Sequence, residues 1–222
     1  MYLALEILAL LSSFLFPFFC AYLAYESTWG LWEMIMTIGT SGLGILAADF
    51  FSGFSHWLFD RYGTEQTPIL GKALIFPFRE HHTDQKAMTH HGFIEANGNT
   101  AIALQIVILP TVLFGLLKVI NGFNGFVSFL LFFEITLLLT NEFHKWAHQD
   151  DVPKLIRTLQ RMRLILSPEH HSQHHVYPFD KNYCITGGWL DPLLLKIGFF
   201  KKIENTLEWL FDVRPYQGKK ET

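Results

Sequence analysis

Long apolar runs separated by short Gly-containing turns dominate the pattern of this chain. The first runs from about Leu3 to Tyr25 and is broken only by Glu6, Ser12, Ser13 and Pro17. Others cover about Leu31 to Phe59, Thr100 to Ile120 and Phe126 to His148. Each approaches or exceeds the roughly 20 residues that cross a bilayer as a helix. The turns Glu26 to Gly30 and Asn121 to Gly125 join these runs into two helical hairpins. The second run is rich in small residues (Gly39, Gly42, Gly44, Ala47, Ala48), which permit close helix packing. The N-terminus lacks a basic n-region and its apolar stretch exceeds a signal h-region, so a retained anchor is expected. The pattern predicts an all-α integral membrane protein with about four transmembrane helices.

Two polar stretches remain, about Asp60 to Asn99 and the tail after His148. With four spans they face the same side. Of 17 Lys and Arg, only Lys118 borders a turn on the other side, so the positive-inside rule makes the polar side cytoplasmic. The tail opens with Val152, Leu155, Ile156, Leu159, Met162 and Leu166 at helical spacing. Lys154, Arg157 and Arg161 share another face. Such a helix suits an anionic leaflet and offers a candidate lipid headgroup contact, or it is an amphipathic helix packed on the protein.

Composition agrees. Half the residues are hydrophobic, 22 are Phe, and 17% are charged against ~25% in soluble domains. A net charge of -3 without a basic, aromatic-interleaved patch gives no nucleic-acid signature. Cys20 lies in an apolar run, so a disulfide with Cys184 is not expected. Residues 1–222 read as one membrane-embedded domain.

All eleven histidines fall on, or enter from, the predicted cytoplasmic side. His144 and His148 are at i, i+4, where two imidazoles meet one metal. His171 stands likewise to His174 and His175. His81 and His82 diverge by about 100° if helical, which suits two metals. With His56 these make eight histidines, more than one tetrahedral zinc uses. Asp49, one helical face with His56, is a candidate ligand or ligand-orienting group, as are His91 and Asn141. His90 and His170 are spare members of doublets. Glu80, Glu95, Asp150 and Glu169 are candidates to orient the rings. Imidazole suits several metals, but zinc has no redox chemistry, and a histidine-rich site without HExxH in a lipid-facing bundle suggests oxidation of an apolar substrate.

Further residues carry a resemblance. Ala48-Asp49-Phe50, Ser52-Gly53, His56-Trp57 and Pro77-Phe78-Arg79-Glu80-His81-His82 resemble lipid desaturases of the Kua/CarF type. So do Thr89 to His91, Phe93-Ile94-Glu95, Asn97-Gly98, Thr140-Asn141, His144-Lys145-Trp146 with His148, the His171, His174, His175 triplet, Tyr183-Cys184-Ile185-Thr186 and Gly188-Trp189. The likeness spans about 48–199 in one order. The run Arg79 to Asp84 followed by Thr89 to Gly98 is similar to the branch that makes the vinyl ether of plasmalogens. A second, plastid branch desaturates the palmitoyl chain of phosphatidylglycerol. The chain departs from the first branch at His90, Gly92, Phe179 and Asp191, where Arg, Asp, His and Asn are usual.

The resemblance implies two Fe ions, O2 as co-substrate, a phospholipid substrate, and an electron-transfer protein of cytochrome b5 or ferredoxin type. It implies a multi-pass protein of a bacterial inner membrane or endoplasmic reticulum with its histidine-rich helical cap in the cytoplasm. Plasmanyl to plasmenyl conversion is the leading expectation. Acyl-chain desaturation of phosphatidylglycerol, lipid hydroxylation, zinc hydrolysis, and a non-enzymatic metal carrier or sensor stand beside it.

Overall fold

The computed structural model describes residues 3–25, 30–118 and 124–218, and among these it is helical without strands. Three helices are long and apolar enough to cross a membrane among the described residues: Leu3–Tyr22, Leu31–Arg61 and Gly125–His148. They belong to α1 (Leu3–Tyr25), α2 (Leu31–Arg61) and α5 (Asn124–His148). The expected run from Thr100 to Ile120 lies in α4 (Phe93–Lys118), and its last residues, 119–120, fall outside the described residues. Helix α4 starts seven residues earlier than the apolar pattern indicates, with Glu95 in its first turn, where an acidic side chain favours the positive end of the helix dipole.

The chain forms two compact units, each built from two stretches. One comprises residues 1–48 and 92–142. Its core joins Ala9, Leu10 and Phe16 of α1 to Ala101, Leu104 and Ile108 of α4 and to Leu130, Leu137 and Leu138 of α5. Ser12 and Gln105 pair across it, as polar groups between apolar helices favour: Ser12 Oγ donates to Gln105 Oε1 (2.9 Å), and Gln105 Nε2 donates to Ala9 O (3.2 Å). Gly44 is essential to the α2–α5 approach, because a Cβ there would lie 2.3 Å from Phe129 O. Gly39 and Gly42 face open space and do not contribute to that packing.

The other unit comprises 49–91 and 143–222. It holds a π-helical turn (Gly71–Ile75), α3 (Phe76–Thr83), a 3-10 turn (Ala87–His90), α6 (Lys154–Arg161), α7 (Pro168–His171), α8 (Asp191–Lys196) and α9 (Phe199–Phe211). The amphipathic helix of the tail is shorter than its periodicity, because Arg163 turns into the left-handed region (φ 56°) and Leu166 is fully buried. One face of α2 organises this unit. Asp49, Ser52, Gly53 and His56 follow at helical spacing and grip the loop 183–190. Asp49 Oδ1 accepts from Gly187 N (2.9 Å) and Gly188 N (3.0 Å), and Oδ2 accepts from Leu190 N (3.0 Å). Ser52 Oγ accepts from Ile185 N (3.1 Å). Gly53 lets the loop sit against the helix, since a Cβ there would be 2.5 Å from Cys184 Sγ. Cys20 and Cys184 are free and buried. Helix α9 is tied to α2 by Glu204, whose Oε1 accepts from Trp57 Nε1 (3.2 Å) and Arg61 Nε (2.9 Å).

Asp49→Ala would strip three amides of a charged acceptor, a loss on the order of 3 kcal/mol. A clearly lowered melting midpoint in detergent is expected by scanning fluorimetry, with Asp49→Asn intermediate. An unchanged midpoint for the alanine variant would show that other contacts hold the loop.

Candidate metal centre

Eight histidines converge within the unit formed by 49–91 and 143–222. Five of them, His81, His144, His148, His171 and His175, each offer a nitrogen within 4.8 Å of all the others. His56, His81, His82 and His174 form a second such group, so His81 belongs to both. The elements that carry them explain the arrangement. His56 lies on α2, and His81 and His82 end α3. His144 and His148 lie one turn apart at the end of α5. Helix α7 is started by Ser167, whose side chain accepts from His170 N (3.2 Å), with Pro168 in its first turn. It presents His171, and the turn that follows sends His175 to the first group and His174 to the second.

In the first group Nε2 of His171 lies 2.8 Å from that of His144 and 3.0 Å from those of His148 and His175. His148 and His144 are 3.2 Å apart at the same atoms. Nitrogens cis to one another at about 2.0–2.1 Å from one metal stand roughly 3 Å apart. Hydrogen bonding alone does not account for this packing. His171 Nε2 approaches three nitrogens, yet a neutral imidazole nitrogen carries either one proton or one lone pair. His81 Nε2, His171 Nδ1 and His175 Nδ1 are buried without a hydrogen-bond partner.

The second group is held from behind. His56 Nδ1 donates to Tyr183 O (3.0 Å) and His174 Nδ1 to Lys181 O (2.8 Å), which leaves both Nε2 atoms unprotonated. Those atoms lie 3.3 Å from Asp60 Oδ2 without hydrogen-bond geometry. His82 Nε2 is 3.0 Å from the same oxygen, and His82 Nδ1 is buried without a partner. Burial, reinforced by neighbouring imidazoles, holds His81, His171 and His175 well below the ordinary histidine value. Burial also lowers His82, against the opposing pull of Asp60. Neutral imidazole is the form that ligates a metal. The donor set, the spacing and the orphaned nitrogens fit two metal ions.

Other expected site residues lie elsewhere. Asp49 commits both oxygens to the loop amides described above, and His170 Nε2 contacts Asp191 Oδ2 at 2.7 Å. His91 is half-buried, and its carbonyl accepts from Lys145 Nζ (3.4 Å). Asn141 belongs to the other unit, where its amide donates to Ala96 O (2.7 Å) and Thr100 Oγ1 (2.9 Å). His90 is exposed. Of the carboxylates expected to orient the rings, Glu95 and Glu169 are exposed and Asp150 pairs with Lys86. Asp60 takes that place for His82, whose Nε2 lies 3.0 Å from its Oδ2. Its signal in the sequence was available: it stands four residues after His56, the same spacing that joins His144 to His148. Lys154, Arg157 and Arg161 are exposed, with Arg157 paired to Asp151 at 2.8 Å. A cavity of about 500 Å³ opens beside the second group, bounded by Asp60, His82, Arg79, Glu80, Phe76 and Phe179 among others.

Comparison with known proteins identifies the family. The model of the lipid desaturase domain matches residues 45–218. Plasmanylethanolamine desaturase of Myxococcus xanthus is 44% identical over 196 residues, covering 87% of this chain and 66% of that protein. Plasmanylethanolamine desaturase 1 of Mus musculus is 38% identical over 182 residues, 78% of this chain and 65% of its own length. Fatty acid desaturase 4-like 1, chloroplastic, of Arabidopsis thaliana is 35% identical over 176 residues, 78% of this chain and 57% of its own. The chain thus spans about two thirds or less of the length of these relatives. No solved structure matches. The family model covers most of the chain and all eight converging histidines, and the chain belongs to the lipid desaturase family.

Proposed function

We propose that this chain is an O2-dependent, non-haem di-iron lipid desaturase that converts a plasmanyl (alkyl-ether) phospholipid to its plasmenyl (vinyl-ether) form. The observation that carries the reading is the pair of buried imidazole groups sharing His81. Two relatives of 44% and 38% identity are named for plasmanylethanolamine desaturation, which supports the ether lipid as substrate. His56, His81, His82, His144, His148, His171, His174 and His175 would hold the two metals. Bound iron would supply activation of dioxygen for hydrogen removal. Overall, the lipid loses two hydrogen atoms from adjacent carbons and O2 becomes two waters. Two electrons come from the lipid and two, one at a time, from an external carrier of cytochrome b5 or ferredoxin class, with two protons drawn from water.

The residues themselves position and protect. Tyr183 O and Lys181 O fix the rings of His56 and His174, so that the unprotonated nitrogens point inward. Asp60 collects three imidazoles at one carboxylate oxygen and adds negative charge beside cations. Near-complete burial of His56, His81, His144, His171 and His174 excludes bulk water. His56, His144 and His148 enter from the ends of α2 and α5, which suits oxidation near headgroup depth on the cytoplasmic side.

The substrate is tested by supplying alkyl-glycerol to aerated, iron-replete cells expressing the protein and measuring acid-labile vinyl ethers by mass spectrometry. Plasmenyl lipid is expected. A new double bond in phosphatidylglycerol without vinyl ether would move the chain to acyl desaturation.

Alanine at any of the eight histidines should reduce turnover beyond the 10–100-fold typical of losing an outer partner of a metal ligand, whereas Asp60→Asn should fall within that range. His90→Ala should retain activity. Full activity with His174→Ala would remove the second group from the proposed site.

A further inference from the structure

The cavity beside His82 presents charged groups that no salt bridge among the described residues holds. Arg61 is committed to Glu204, Nε to Oε1 at 2.9 Å. Arg79 makes no salt bridge among the described residues, although Asp60 and Glu65 are near enough to act on its charge. Its Nε donates to Asp60 O (3.2 Å), and its Nη2 donates to Tyr62 O (3.3 Å) and Gly63 O (3.1 Å). The guanidinium also lies over Tyr216, 4.3 Å from the ring centroid. Among the described residues no carboxylate pairs with it, and Nη1 has no acceptor. A half-buried guanidinium pinned along one edge is a rigid donor for an anion at the other. Glu65 and Glu80 line the same cavity, and neither carboxylate has a cation partner among the described residues.

One guanidinium and two carboxylates, none held in a salt bridge among the described residues, surround about 500 Å³ and suit a ligand that carries both signs. We propose that this cavity seats a zwitterionic phospholipid headgroup, its phosphate on Arg79 and its ammonium on Glu65 and Glu80. The assignment rests on the reading of the chain as a phospholipid desaturase and names the part of that substrate which sets specificity. Phe76 and Phe179 give the cavity an apolar wall for the glycerol and the first chain carbons. His82 and Asp60 line it too. Only the glycerol unit separates the phosphate from the ether oxygen, so a headgroup held here leaves the adjacent carbons beside the second histidine group. None of the basic residues of α6 lines this cavity.

The test is native mass spectrometry of the purified full chain against phosphatidylethanolamine and phosphatidylglycerol with identical chains, with soluble phosphoethanolamine as a third probe. Wild type should retain the ethanolamine lipid in preference. Arg79→Gln should weaken both lipids about tenfold, the scale of one charged hydrogen bond, and Arg79→Lys should weaken them less. The double variant Glu65→Gln/Glu80→Gln should lose about the same factor for the ethanolamine lipid alone. Melting midpoints identify any variant that fails to fold, and the double carboxylate variant then decides. Equal loss of both lipids in that variant, or wild-type retention by Arg79→Gln, would overturn the assignment. So would loss on Arg157→Gln instead, or saturation by phosphoethanolamine without lipid retention. Binding is read without turnover. A chain that passes here yet yields no vinyl ether in cells would overturn the desaturase reading and leave the headgroup seat standing.

Discussion

Imidazole nitrogens about 3 Å apart in a dry interior face a shortage of protons. Each neutral ring has one N–H and one lone pair, and in the group around His171 three nitrogens approach a single Nε2. Protonating the rings would place like charges side by side out of water, which burial forbids. A shared cation resolves the conflict, because every lone pair then has the same partner. The arrangement is costly without a metal and self-consistent with one.

The rest of the histidine-bearing unit keeps those rings in place. Helix α2 supplies a rigid face on which Asp49, Ser52 and Gly53 seat the loop 183–190, and that loop returns Tyr183 O to orient His56. Asp191 fastens the same loop by accepting from Cys184 N (3.1 Å) while it contacts His170. The spare histidine of the last doublet thus has a structural contact of its own. Asp49, an ionisable residue in a candidate membrane span, is explained in the same way: its charge is met by three amides. Burial of a carboxylate is tolerable where such a set of donors is fixed around it.

Much of this was legible in the sequence because two periodicities dominate it. Apolar runs of span length gave the helices, and histidines at i, i+4 gave the ring pairs. What escaped were features without a local period. The sharing of His81 depends on how α3, α5 and the turn after α7 meet, which spacing within one helix does not encode. Asp60 follows His56 by one turn, but spacing alone does not distinguish a carboxylate turned to the rings from one turned to solvent. Glu80, Glu95, Asp150 and Glu169 were preferred for their nearness in sequence to histidines, yet ring orientation comes from Asp60 and from backbone carbonyls, which sequence does not reveal. The amphipathic stretch after Val152 suggested a longer helix than α6, since hydrophobic spacing carries no sign of the left-handed turn at Arg163.

Metal content per chain tests the central claim most directly. Iron-replete protein, purified in mild detergent, is to be analysed for iron and zinc and by Mössbauer spectroscopy, together with His81→Ala. Two imidazole groups predict close to two irons per chain in wild type. Because His81 belongs to both groups, its alanine variant should lose occupancy at both sites while variants of unshared histidines deplete one site first. Zinc competes strongly for nitrogen sites, so activity is followed on the same samples. Fully active protein holding a single zinc and no iron would contradict the account.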